Sequence, residues 1–392
     1  MISSDAKRDG DCLDGNILTP QGWRLGRLDW QDGRIVSLEG EPVDPMTNDY
    51  PRLLPGFVDL HVHGGGGADA MEGGEAAATM ARTHVRFGTT SLLVTTMTAP
   101  SEDIQRALTD IARLMATPPL RAARLLGVHL EGPFLNPGKL GAQPPYAHPG
   151  TVEAVDALLA LAPIRVLTLA PELGGHAELI RHLCDRGVRV LMGHTLGSYE
   201  EGVAGLASGA HGFTHLFNAM TGLHHREPGM VGAALAHAEH AEIIPDLLHV
   251  HPGAILTALR AIPRLYGVTD STAAAGMPDG DYRLGEQRVT KCLGGVRLAD
   301  GTLAGSTLTM DQALRNLIEI GLDLADASRR LSQYPAEFIG EQEIGRLAPG
   351  CHADVLVLNP DLELEAVYVG GQLAHAARAA DASPVGTSSV SQ

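Results

Sequence analysis

The residues of this chain best suited to chemistry are histidines and carboxylates in short recurring strings. They are His61-Val62-His63, His129-Leu130-Glu131, Gly193-His194-Thr195, Thr214-His215-Leu216-Phe217-Asn218, His249-Val250-His251 and Thr269-Asp270. Imidazole nitrogens and carboxylate oxygens suit a borderline divalent cation such as Zn²⁺ or Fe²⁺. A cation of that kind lowers the pKa of bound water from 15.7 to about 7, giving a nucleophile at neutral pH. In His61-x-His63 the i, i+2 spacing turns both rings to one side of an extended strand, where two can grip one ion.

The elements that must position these groups are legible in the hydrophobic pattern. Short apolar strands are expected at 53–61, 89–95, 124–131, 164–170, 188–194, 209–216, 243–250 and 265–270. Amphipathic helices are expected between them at 75–87, 101–115, 152–161, 177–186 and 199–207. Eight strands alternating with helices predict an α/β protein with a closed (β/α)₈ barrel, whose strand ends converge on one mouth. A lone histidine at a strand end is more often structural, but six of the eight expected strand ends carry His, Glu or Asp. His176, His182, His211, His237 and His240 fall on expected helices or turns and read as surface or packing residues. Asp59 reads as a structural hydrogen-bonding group, and His224-His225 lies in a loop. An open dinucleotide-binding sheet is disfavoured, because Gly64-Gly65-Gly66-Gly67 follows two histidines and lacks the usual phosphate-turn spacing.

Both chain ends alternate apolar and polar residues between turn signals, as in 12–40 and 345–373. They predict a small β-sandwich made from 1–54 and 342–378 around a barrel at 55–341, with an Ala/Ser-rich tail at 379–392. The 392 residues include 44% hydrophobic and 19% charged residues, enough to bury a core and to exclude global disorder. Lys+Arg 29 against Asp+Glu 46 gives a net charge of −17, which disfavours nucleic acid as a partner. No apolar run approaches the roughly 18 residues of a membrane span, and the first residues lack the order of a secretory signal. Cys12, Cys184, Cys292 and Cys351 form no CxxC pair and read as reduced thiols of a cytoplasmic protein.

With these strings in place, Pro55-Gly56-Phe57-Val58-Asp59-Leu60-His61-Val62-His63-Gly64 resembles the opening signature of the amidohydrolase superfamily. More narrowly, the chain resembles the N-acetylglucosamine-6-phosphate deacetylase family. That likeness runs through His129-Leu130-Glu131-Gly132-Pro133-Phe134, Leu216-Phe217-Asn218-Ala219-Met220, His224-His225-Arg226-Glu227-Pro228-Gly229 and Gly305-Ser306-Thr307-Leu308-Thr309-Met310. It implies hydrolysis of the acetamide of an amino-sugar 6-phosphate, with one or two divalent ions per chain. Carried onto this sequence, it makes Glu131, His194 and His215 ligands of a principal ion. His61 and His63 would bind a second, bridged by Glu131, and Asp270 would be the acid/base. The resemblance also implies substrate contacts from Ala142, Gln143 and His249, with Asn218 and Ala219 offering amide donors.

Arg226 is the candidate for the phosphate, since a guanidinium grips phosphate oxygens as a bidentate fork. The resemblance also implies that the Arg226 loop reaches a neighbouring subunit, making a homodimer. One departure is Asp246-Leu247-Leu248-His249, where the family usually has Asp-Gly; Leu247 bears on which sugar is taken, including an N-acetylgalactosamine 6-phosphate. A carbamylated-lysine hydrolase needs a lysine at the end of strand four, and Lys7, Lys139 and Lys291 are all elsewhere. A mononuclear deaminase has no use for Glu131 as a ligand. A non-catalytic binding module would lack Asp270 or part of the ligand set.

Overall fold

The computed structural model describes residues 12–377. Eight strands pair in parallel, in chain order: β1 (Phe57–Val62), β2 (Thr89–Thr96), β3 (Arg124–Glu131), β4 (Ile164–Leu169), β5 (Arg189–Met192), β6 (Gly212–Phe213), β7 (His240–Ile243) and β8 (Arg264–Gly267). The ring closes just past β8. There the Asp270 N–H donates to the His61 carbonyl at 2.9 Å, and Val62 bridges Ser271 in parallel. Helices α1 (Ala76–His84), α2 (Ser101–Ala116), α3 (Val152–Leu159), α4 (His176–Asp185), α5 (Tyr199–Ala207), α6 (Gly229–His237), α7 (Pro252–Ala261) and α8 (Met310–Glu319) complete a (β/α)₈ barrel.

Local chemistry explains these elements. Every residue of β2, Thr-Thr-Ser-Leu-Leu-Val-Thr-Thr, is buried, as a strand packed on both faces requires. In α2 the buried Ile104, Ala107, Leu108, Ile111 and Leu114 recur at helical spacing. Glu102 and Asp103 in its first turn oppose the helix dipole. Helix α5 starts from a capping box between Ser198 and Glu201.

A seven-stranded sheet draws Cys12–Thr19, Gly22–Gln31, Arg34–Pro42 and Arg52–Pro55 from one end of the chain. Val355–Leu358, Leu364–Val369 and Gln372–Ala376 come from the other. The rings of Trp30 and Tyr368 lie 5.6 Å apart although three strands separate theirs in the sheet order. The sheet therefore folds over as a sandwich, around Ile17, Leu28, Ile35, Leu53 and Val355. Arg124 on β3 joins it to the barrel through a two-pronged contact with Asp354 at 2.8 and 3.2 Å.

Strand seven departs from its expected place at 243–250. The strand is His240–Ile243, so His240 opens it and is not a helix or turn residue. Pro245 has no N–H to continue the ladder. Asp246 then accepts the N–H groups of Leu248 and His249 at 2.9 and 2.8 Å, turning the chain. The expected strand-end pair His249-x-His251 is accordingly split: His249 sits in that turn, and His251 caps α7 by accepting the Gly253 N–H. A three-stranded antiparallel excursion, Gly280–Leu284, Gln287–Cys292 and Gly295–Arg297, follows β8 and was not anticipated. The expected tail at 379–392 lies outside the described residues.

Candidate metal centre and cavity

The donors meet at the C-terminal ends of the barrel strands. His61 lies on β1 and His63 just beyond it; Glu131 ends β3; His194, His215 and Asp270 follow β5, β6 and β8. Glu131 is central. Its Oε1 lies 3.2 Å from Nε2 of both His194 and His215. Its Oε2 lies 3.1 Å from His63 Nε2 and 3.6 Å from His61 Nε2. Asp270 Oδ1 approaches the same two nitrogens at 3.3 and 3.5 Å. Two donor groups result, His61/His63/Asp270 and Glu131/His194/His215, all buried, each with ligand atoms within 4.8 Å of one another.

These residues fit a divalent cation. The Nε2 atoms face each other at 3.1 Å in both the His61–His63 and the His194–His215 pair. His194 Nδ1 is 2.9 Å from the Lys139 carbonyl, which can only accept; Nδ1 therefore carries a hydrogen, and Nε2 is the nitrogen whose lone pair a cation would take in place of a proton. The electrostatics agree. Burial opposes a charged His61, yet Glu131, Asp270 and Glu242 hold it well above its usual range. Burial likewise opposes a charged His63, but Asp270 and Glu131 push it to about 9. Against the cost of burial, His61 and His194 hold Glu131 well below the usual carboxylate range, and His61 and His63 lower Asp270. The carboxylates thus create a place for positive charge.

Backbone strain gathers here as well. His194, His215 and Asp270 have φ of 49°, 26° and 48°, a region non-glycine residues seldom occupy. The surroundings enforce it around Asp270. Thr269 Oγ1 donates to Asp59 at 2.7 Å, and the Ser306 N–H donates to the Asp270 carbonyl at 2.7 Å. A Cβ on Gly305 would come within 2.6 Å of Thr272 and 2.9 Å of the Asp270 carbonyl, at φ +60°. Glu172 steadies the turn after His194 by accepting from Thr195 at 2.5 Å and Asn136 at 2.8 Å.

The donors open into a cavity of about 400 Å³, a volume suited to a small ligand. Ala142, Gln143, Asn218, Ala219 and His249 line it, with Met97, Leu284 and Leu303 as apolar wall. Gln143 is fixed between Glu131 Oε2, to which it donates at 2.6 Å, and the Thr98 N–H, which it accepts at 2.7 Å. His249 Nδ1 lies 2.6 Å from Asp246 Oδ2; burial opposes its charge, but Asp246 raises its pKa. Arg226 is elsewhere: it lies on an exposed loop and does not line its own chain's cavity. His129 sits beneath the donors with both ring nitrogens engaged, at 3.1 Å from the Leu60 carbonyl and 2.7 Å from Thr168 Oγ1.

Glu242 was missed. It stands on β7 with its carboxylate 3.0 Å from His61 Nδ1. The signal is a lone carboxylate in the apolar run Ala241-Glu242-Ile243-Ile244, but a strand expected from 243 onward leaves it just outside.

A divalent-metal donor set at the mouth of a (β/α)₈ barrel defines a hydrolase of the amidohydrolase kind. The amidohydrolase family matches residues 52–374, and the chain belongs to that family. It is 41% identical over 368 residues to the N-acetylgalactosamine-6-phosphate deacetylase of Escherichia coli O157:H7, covering 91% of this chain and 97% of that one. It is 38% identical to the N-acetylglucosamine-6-phosphate deacetylase of Vibrio furnissii, covering 92% and 90%. Among solved structures, the N-acetylglucosamine-6-phosphate deacetylase of Thermotoga maritima superposes with a TM-score of 0.86 at 31% identity, over 93% of this chain and 100% of that one. An aspartate-to-alanine variant of the Mycobacterium smegmatis enzyme, in complex with N-acetyl-D-glucosamine 6-phosphate, gives the same score and identity over 93% and 99%.

Proposed function

We propose that this chain hydrolyses the acetamide of N-acetyl-D-glucosamine 6-phosphate to D-glucosamine 6-phosphate and acetate, a step of amino-sugar catabolism and cell-wall recycling. The observation that carries the reading is Asp270 Oδ1, 3.3 Å from His63 Nε2, in the cavity where Glu131, His194 and His215 converge. Glu131, His194 and His215 hold the principal ion in this reading, and His61 and His63 a weaker second; Zn²⁺ or Fe²⁺ suits both donor sets. Bound there, such ions activate water and polarise the acetyl carbonyl. Asp270 takes the proton of the attacking water and delivers it to the amine nitrogen, which is too basic to leave unprotonated. His249, braced by Asp246, supplies a donor to the developing oxyanion. Ala142, Gln143, Asn218 and Ala219 hold the sugar. Arg226 meets the phosphate by reaching into a neighbouring copy, so the working form is a homodimer.

The 41% identity to an N-acetylgalactosamine-6-phosphate deacetylase favours a second reading, the same reaction on the epimeric sugar. Leu247 bears on it, since it keeps φ 61° beside His249, a conformation glycine adopts freely. The reading places the enzyme in the cytoplasm; no described helix is long and apolar enough to cross a membrane. Acetate release across N-acetylhexosamines with and without a 6-phosphate tests it. Turnover is expected on N-acetylglucosamine 6-phosphate. Faster turnover of the galacto epimer selects the second reading, and acetate from neither overturns both.

A further inference from the structure

Beneath the His61–His63 pair, Glu242 occupies a place the barrel interior would ordinarily give to an apolar side chain. It has no exposed surface. Its Oε2 lies 3.0 Å from His61 Nδ1 and accepts the His215 backbone N–H at 3.3 Å. One carboxylate oxygen thus touches a residue of each candidate ion site. The buried Tyr266 hydroxyl also interacts with this carboxylate, so that hydroxyl and the two contacts of Oε2 together offset burying the group.

The neighbours of His61 leave Glu242 a specific task. The His61 ring meets His129 edge-on at 4.5 Å and stacks on His215 at 5.6 Å, which restricts its tilt. Neither contact decides which ring nitrogen carries hydrogen. His129, His61 and Glu242 also lie close enough together to suggest a third ion site. Both nitrogens of His129 are already engaged, by Leu60 and Thr168, and Thr168 continues to Thr214 Oγ1 at 2.7 Å. That cluster is a hydrogen-bonded floor.

We propose that Glu242 is a positioning residue for the second ion site. By accepting the Nδ1–H of His61 it fixes the tautomer whose Nε2 lone pair points toward Glu131 and Asp270, and so sets the affinity of the His61/His63 site for a divalent cation. The assignment rests on the two-site reading above. A carboxylate behind a metal-binding histidine fixes its ring and raises its basicity, and losing such a partner typically costs about 10–100-fold in metal affinity. The principal site feels Glu242 only through the His215 backbone and changes less.

The test is titration of metal-free protein with chelator-buffered Zn²⁺, reading both affinities for the wild type, Glu242→Gln, Glu242→Ala and His61→Ala, with thermal melts of each metal-free chain. Expected are two ions in the wild type, and a second ion weakened by roughly 10-fold in Glu242→Gln and roughly 100-fold in Glu242→Ala. The first ion should move by a smaller factor in both. If Glu242→Ala does not melt cooperatively, Glu242→Gln carries the test alone. Two ions in the wild type with unchanged second-site affinity in a folded Glu242 variant would overturn the role of Glu242 only. One ion in the wild type, unaltered by His61→Ala, would overturn the two-site reading and this assignment with it.

Discussion

Asp270 Oδ1 lies 3.3 Å from His63 Nε2, so the residue just past the last barrel strand meets the one just past the first across the barrel seam. The contact depends on closure there, through the Asp270 N–H to the His61 carbonyl. Closing the barrel and placing the acid/base candidate are one event. Asp270 also adopts φ 48°, a conformation that Asp and Asn tolerate better than most residues.

Asp270→Asn should therefore keep the backbone while removing the proton shuttle. The kcat is expected to fall by about 10²–10⁴, the usual contribution of a general acid–base group. Metal content should change little. Steady-state kinetics on metal-loaded protein decide it, and near-wild-type turnover would remove Asp270 from the mechanism.

Two imidazoles with Nε2 atoms 3.1 Å apart at the barrel mouth either share a cation or share one hydrogen in an N–H···N bond. The double variant His61→Ala with His63→Ala is expected to lose one divalent ion and keep the ion of Glu131, His194 and His215. Part of the activity should survive. Elemental analysis under saturating metal is the measurement; one ion per chain in both proteins would leave the HxH pair without a metal role.

Much of this site could be read from sequence because barrel strands deliver their ends to one mouth. His61, Glu131, His194, His215 and Asp270 needed only the strand order to be brought together. β3 at Arg124–Glu131 was legible to the residue, since its apolar run ends in a charge. Strand seven was not, because Ile243-Ile244 and Leu247-Leu248 look continuous in hydrophobicity while Pro245 and Asp246 break the chain between them. An expected strand at 243–250 puts His251 at a strand end and leaves Glu242 outside, whereas Glu242 lies on the strand and His251 caps the next helix. The excursion at 280–297 also escaped, although Leu293-Gly294, with φ of 51° and 77°, marks a tight hairpin turn. Arg226 lies on an exposed loop away from its own chain's cavity, and strand order carries no information about what such a loop meets.

A pH prediction comes from the other end of β6. His211 accepts the Val190 N–H through Nδ1 at 3.2 Å, and burial, then Arg189 and His240, lower its pKa to about 4. The unfolded chain takes up a proton near pH 6.5, before the folded one. Between about pH 6.5 and 4 the unfolded state therefore binds more protons, and stability falls as pH falls through that window. His211→Gln keeps an acceptor for Val190 but cannot titrate. Its metal-free melting temperature should decline less steeply than the wild type's from pH 7 to 4.5. Equal slopes would assign the acid sensitivity to other groups.

Arg226 makes the sharpest claim about assembly, because it is exposed and absent from the lining of its own chain's cavity. In a chain of net charge −17 a local guanidinium offsets the repulsion a sugar phosphate meets, and a charge-assisted contact of this type contributes about 1.5–3 kcal/mol. Arg226→Ala should raise KM for the 6-phosphorylated sugar far more than for the unphosphorylated analogue; equal effects on both would mean that the loop binds something else. If the arginine serves a neighbouring copy, Arg226→Ala and Asp270→Asn protomers mixed after dissociation complement each other. A mixed dimer holds one complete site, an intact Asp270 in one protomer served by Arg226 of the other, so random pairing restores up to about a quarter of wild-type activity in a two-fold dimer. Each variant alone stays impaired. A mixture no more active than the sum of its parts, with exchange verified by mass, would place Arg226 in its own chain or away from the phosphate altogether.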